Sequence, residues 1–162
     1  RITPWAIKTG LPVKGIIRRT IFDQFVGGET LEETSKIVKH LGEYNVHAVL
    51  DYGVEGGEEG DAGFDHARDE FIRVINYAAT QPNIPFMSIK VTGLSRFGLL
   101  EKLDHSLDLN PGTLMNRYEK AVNDLTPEEK AEWQRVQERV DMICDTAGKK
   151  NVGVVIDAGR IA

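Results

Sequence analysis

Two charged residues that close apolar strands offer the plainest chemistry in this chain. In Pro85-Phe86-Met87-Ser88-Ile89-Lys90-Val91-Thr92-Gly93-Leu94 a lysine stands at the end of an otherwise apolar run. The segment from Asn151 to Asp157 repeats the pattern with an aspartate at its end. An ammonium so placed must meet water, a carboxylate or an anionic ligand, because stranding it in a dry core costs several kcal/mol. Two strands that finish on opposite charges suggest a parallel sheet whose C-terminal edge carries a binding site.

Other residue patterns carry less. His40, His47, His66 and His105 lack the mutual spacing of a zinc site, and no metal is expected. The stretch from Glu55 to Asp61 lacks the spaced oxygen donors and terminal glutamate of a calcium loop, and reads as a mobile solvated connection. Gly27-Gly28-Glu29-Thr30 has neither the glycine spacing nor the lysine of a phosphate loop, and reads as a tight turn. Tyr52 and Glu55 follow the second strand and are placed to line the same edge or to pack locally. No serine, histidine and acid arrangement stands out as a nucleophilic triad. Cys144, the single cysteine, cannot form an internal disulfide, and its apolar neighbours predict a buried helix position in a reducing compartment.

At 162 residues and 18.1 kDa the chain suits one domain with a real core. A net charge of -5, with no long Lys/Arg stripe, disfavours nucleic acid as a partner, since phosphate-backbone binding draws on clustered cations. No run approaches the ~18 apolar residues of a spanning helix, and the N-terminus lacks a signal pattern, so a cytoplasmic protein is expected. Peripheral association with a membrane is compatible with this.

The elements that must position Lys90 and Asp157 alternate between strand and helix. Residues 1–19 read as a lead-in and residues 20–162 as one domain. Strands are predicted at 20–26, 46–50, 85–91 and 152–156, where β-branched and aromatic residues cluster between turn signals. Thr30-Leu31-Glu32-Glu33 reads as a capping box that opens a helix ending at Gly42 or Asn45. Asp65 is expected to cap the next helix, with Phe71, Ile72, Ile75, Ala78 and Ala79 on its apolar face. Leu99 to Leu103 predicts a helical turn, and Asn110-Pro111 opens a further segment. Thr126-Pro127-Glu128-Glu129 is the strongest start signal, for a helix with Trp133, Val136, Val140, Ile143, Cys144 and Ala147 on its period up to Gly148. This order predicts the α/β class, with parallel βα repeats joined by right-handed crossovers. Four strands cannot close an eight-stranded barrel, so the expectation is an open sheet or a partial (β/α)8 TIM-like barrel.

Three segments then resemble the proline dehydrogenase family: Phe25-Val26-Gly27-Gly28-Glu29-Thr30-Leu31-Glu32, Leu50-Asp51-Tyr52-Gly53-Val54-Glu55-Gly56 and Ile89-Lys90-Val91-Thr92-Gly93-Leu94. They occur in the family's order, and the strand ending Ile156-Asp157-Ala158 is similar to its next barrel strand. The resemblance implies an FAD enzyme on a distorted eight-stranded barrel, of which this chain looks like the N-terminal half. It implies oxidation of L-proline to 1-pyrroline-5-carboxylate by hydride transfer from C5 to the flavin, with electrons passed to a quinone and a peripheral contact with the inner membrane.

Carried over by position, Lys90 corresponds to the lysine that meets the substrate carboxylate, and Asp157 to the aspartate beside the flavin. Asp157 and Ala158 are thus the cofactor-side candidates, and Lys90 and Asp157 the catalytic ones. The family continues this strand as Asp-Ala-Glu, whereas Asp157-Ala158 is followed here by Gly159-Arg160-Ile161-Ala162. The family's flavin-binding arginine strand and its helix with paired arginines correspond to nothing in this sequence. These residues alone are therefore expected neither to retain FAD nor to oxidise proline, and uncovered strands are expected to favour self-association. The competing expectation is a stand-alone α/β binding or interaction protein without redox activity.

Overall fold

The computed structural model describes residues 30–51 and 60–157. The predicted strand at 20–26, the Gly27–Glu29 turn, most of the acidic connection and Ala158 lie outside the described residues. The chain divides into two compact units, Arg1–His47 and Ala48–Ala162.

In the first unit, helix α1 (Leu31–Glu43) begins where Thr30 Oγ1 accepts from the Glu33 N–H at 3.2 Å. That bond satisfies one of the orphan donors of a helix start, as the sequence predicts. The helix ends as Asn45 takes a left-handed φ of 59° and Val46 N donates to the Leu41 carbonyl at 3.0 Å.

The second unit is α/β. Its strands β1 (Val49–Asp51), β2 (Phe86–Ile89) and β3 (Gly153–Ile156) form a three-stranded parallel sheet in the order β1-β2-β3. Each is shorter than predicted, because ladder pairing covers only the segment where neighbouring strands are in register. Between β1 and β2 runs α2 (Asp61–Ala78), and between β2 and β3 run α3 (Phe97–Leu109), α4 (Leu114–Asn123) and α5 (Pro127–Lys150). Helix α2 packs on β2, α5 packs on β3, and the two helices pack on each other. Both therefore cover one face of the sheet.

Side chains alternate across that sheet. Met87 and Ile89 point into the helical layer and are fully buried, with Phe71, Val74 and Ile75 of α2 and Val136 and Ile143 of α5 also buried. Burying a side chain of this size stabilises the fold by roughly 1.5–3 kcal/mol. On the other face Val49, Phe86 and Val155 remain exposed. A second cluster of Leu99, Leu103, Ala121 and Leu125 joins α3 to α4, with Trp133 of α5 against it. The Trp133 indole N–H donates to the Tyr118 hydroxyl at 3.0 Å and fixes that junction.

Several boundaries differ from expectation for identifiable reasons. Helix α2 starts at Asp61 rather than after Asp65, because Gly60 at φ 103° turns the chain into the helix sooner. Helix α3 is a full 13 residues, and α4 opens at Thr113, whose Oγ1 accepts from Asn116 N at 3.3 Å, rather than at Asn110-Pro111. Helix α5 begins on the predicted capping box, with both reciprocal bonds present, and continues past Gly148 to a left-handed Asn151. Cys144 is exposed, not buried. The buried stripe of α5 runs through Val136, Arg139, Ile143 and Ala147, and Cys144 falls beside it.

Candidate functional site

Lys90 and Asp157 are neighbours at the C-terminal edge of the sheet. The parallel register pairs Ile89 with Ile156, and the Asp157 N–H donates to the Ile89 carbonyl at 2.9 Å, which carries the register one residue further. Lys90 keeps an extended backbone, with φ -109° and ψ 120°, so alternation puts its side chain on the face of Phe86 and Ser88. Its Nζ lies 3.9 Å from Asp157 Oδ2, with side-chain exposures of 25% for the lysine and 48% for the aspartate. At that separation and exposure the pair is a weak ion pair, open to solvent. Ala158, the remaining cofactor-side candidate, lies outside the described residues.

Below this charged layer the same face mixes polar and apolar residues. Phe86 lies over Gly153, its register partner, so closely that a Cβ at Gly153 would collide with the ring. Asp51, Ser88 and Val155 form the row between.

The sequence reading missed a second cluster, centred on Arg139. This guanidinium is 3% exposed, yet it donates from Nη2 to Asp61 Oδ1 at 2.8 Å and from Nε to Asp65 Oδ1 at 2.8 Å. Nη1 donates to the Leu94 carbonyl at 3.2 Å, and the Phe64 ring lies 5.5 Å from the guanidinium carbon. Burial works against the charge on Arg139, but the hydrogen bonds it donates to Asp61 and Asp65 more than offset it and raise its pKa above the ordinary arginine value. The Asp61 carboxyl is held below the usual range, first by the bond from Arg139 and then by that from Arg135. Asp61, read from sequence as the end of a solvated loop, is instead the first residue of α2, where a negative charge also complements the helix dipole. The available signal was spacing, since Arg139 falls three residues after Val136 and four before Ile143, on the buried stripe.

Elsewhere the chemistry is sparse. Partial desolvation, then the carboxylates of Asp141 and Asp145, push the Cys144 thiol up, which opposes thiolate reactivity. Among the described residues no group of three His, Cys, Asp or Glu side chains could hold a metal ion. No described helix is long and apolar enough to cross a membrane.

Comparison with known proteins finds partial similarity to several curated proteins. A mitochondrial proline dehydrogenase 1 of Dictyostelium discoideum is 33% identical over 99 residues, covering 60% of this chain and 17% of that protein. Proline dehydrogenase 1 of Arabidopsis thaliana, also mitochondrial, is 24% identical over 168 residues, covering 90% of this chain and 34% of its own length. The chain is a relative of the proline dehydrogenases. A carbapenem antibiotics biosynthesis protein, CarD, of Pectobacterium carotovorum is 28% identical over 138 residues, covering 85% of this chain and 32% of that protein. No family model matches the chain.

The chain thus spans between 17% and 34% of the length of these curated relatives. The relatives of known name that are dehydrogenases are mitochondrial, so the cytoplasmic placement expected from composition gains nothing from them.

Proposed function

We propose that this chain forms part of the catalytic barrel of an FAD-dependent proline dehydrogenase, contributing parallel strands of its wall, three of them among the described residues, and one side of its substrate site. The observation that carries this reading is the placement of Lys90 beside Asp157 at the C-terminal edge of a parallel sheet, in a chain related to proline dehydrogenases. Helices on one face and an unpaired, half-apolar opposite face are what a barrel wall requires, with the opposite face turned inward.

In this reading Lys90 holds the carboxylate of L-proline. A lysine is a point charge without the fork of an arginine, so it orients the carboxylate only in company with further cations supplied by other segments of the complete protein. Asp157 balances the charge of Lys90 when substrate is absent and borders the cofactor when it is present. The flavin, when bound, supplies the two-electron acceptor. Proline loses a hydride from C5 and a proton from its nitrogen as the C=N bond of 1-pyrroline-5-carboxylate forms. The protein groups described here work by fixing the ring's orientation and by electrostatics, not by covalent chemistry. Electrons leave to a quinone, which brings the complete enzyme to a membrane surface.

Because the chain spans at most 34% of the length of these relatives, these residues alone hold one part of the flavin and substrate contacts, and we infer that they are inactive by themselves. The test is anaerobic mixing of the complete protein with L-proline. Bleaching of a bound flavin's visible absorption, with pyrroline-5-carboxylate as product, is the expected result. A complete protein that binds no flavin, or whose flavin proline leaves oxidised, would return the chain to the class of α/β binding proteins.

A further inference from the structure

Arg139 joins two segments that leave the same sheet edge. Asp61 and Asp65 belong to the opening turns of α2, which follows β1, and Leu94 caps the short 3-10 turn Val91–Gly93, which follows Lys90. That turn is a single hydrogen-bonded unit, with Gly93 N donating to the Lys90 carbonyl at 3.1 Å and Leu94 N to the Val91 carbonyl at 2.9 Å. Leu94 is fully buried, and its carbonyl accepts from Arg139 Nη1 at 3.2 Å. Without the guanidinium this buried acceptor loses that donor, a cost that would be relieved by moving the turn.

The same guanidinium grips the Asp61 and Asp65 carboxylates at 2.8 Å each. Its planar fork lets one side chain meet these acceptors in fixed directions, which a lysine's single ammonium cannot do. We propose that Arg139 is a positioning residue for Lys90. By fastening the Lys90–Leu94 turn and the start of α2 to α5, it fixes the direction from which Lys90 meets an anionic ligand. The choice of proline as that ligand rests on the function proposed above, whereas the fastening itself does not.

The experiment uses the complete protein with Arg139→Lys and Asp61→Asn, read by amide hydrogen exchange and by steady-state kinetics with L-proline. For Arg139→Lys, exchange over residues 91–96 and 61–66 rises about tenfold or more, while residues 71–78 and 143–147 stay protected. The KM for proline rises about tenfold, with flavin content and kcat little changed. For Asp61→Asn, which leaves the bond to the Leu94 carbonyl in place, residues 61–66 loosen but residues 91–96 and the KM remain near wild type. A uniform rise in exchange through α2 and α5 in Arg139→Lys means that the residue only holds the helices together, and overturns the proposal. So does wild-type exchange over residues 91–96, or an equal rise in KM for both variants. If the wild-type protein does not oxidise proline, the functional reading fails, and the exchange pattern alone still decides the role of Arg139.

Discussion

Lys90 Nζ and Asp157 Oδ2 lie 3.9 Å apart because their strands are adjacent, parallel and in a register that sets the two residues side by side. The separation is long for an ion pair and both groups are partly solvated, so the pair contributes little to stability, on the order of 0–1 kcal/mol. Asp157→Asn should accordingly shift the urea midpoint only slightly. In the complete enzyme Lys90→Ala should weaken productive proline binding by about 1.5–3 kcal/mol, roughly a tenfold to hundredfold loss at limiting proline. Anaerobic flavin reduction across a range of proline concentrations measures this. Unchanged reduction kinetics would leave Lys90 a structural lysine, and loss of the flavin itself would make it a folding or cofactor residue.

The Asp61 carboxyl, depressed by Arg139 and Arg135, gives stability a defined pH dependence. A carboxylate whose folded pKa is lowered contributes stability above its unfolded value, and that contribution is lost as pH falls through the folded value. Asp61→Asn removes the titrating group. The difference in urea midpoint between wild type and Asp61→Asn should therefore be largest near neutrality and shrink between about pH 5 and pH 2. A constant difference across that range would show that Asp61 does not titrate against Arg139.

Gly153 is glycine because the Phe86 ring occupies the space of its Cβ. Gly153→Ala forces the ring aside, and because Phe86 is exposed the ring can move, which keeps the cost near the low end of overpacking, at about 1 kcal/mol. In the Phe86→Ala background the same change should cost less. A double-mutant cycle by chemical denaturation reads the coupling, and additive effects would refute the steric account.

The capping box of α5 makes a local prediction. Thr126 Oγ1 is the acceptor at the first turn of the helix that carries both Arg139 and the approach to β3. Thr126→Ala should destabilise the fold by about 1 kcal/mol, and Thr126→Ser by much less, as read from thermal unfolding.

Val49, Phe86 and Val155 on the open sheet face give the 162-residue chain a surface suited to self-association. Light scattering should show a mass that rises with concentration, and Val155→Lys should suppress the rise. A strictly monomeric wild type at high concentration would mean that this face is satisfied within the chain.

What the sequence determined by itself is the local part of this structure. The Thr30 and Thr126 caps, the amphipathic faces of α2 and α5 and the order of strand and helix are encoded within a few residues of one another, where backbone geometry and hydrophobic period act directly. The juxtaposition of Lys90 with Asp157 was also legible, since both end apolar strands of one predicted parallel sheet. Tertiary structure alone decided the rest. Asp61 became a helix residue and not loop because Gly60 turns the chain early and because Arg135 and Arg139, more than seventy positions away, supply its counter-charges. Arg139 could be buried only because α2 and α5 meet on one face of the sheet, and Cys144 was exposed by the same choice of face. A buried charge such as Arg139 is stable only if partners meet it, and its partners Asp61 and Asp65 lie outside any local window of sequence.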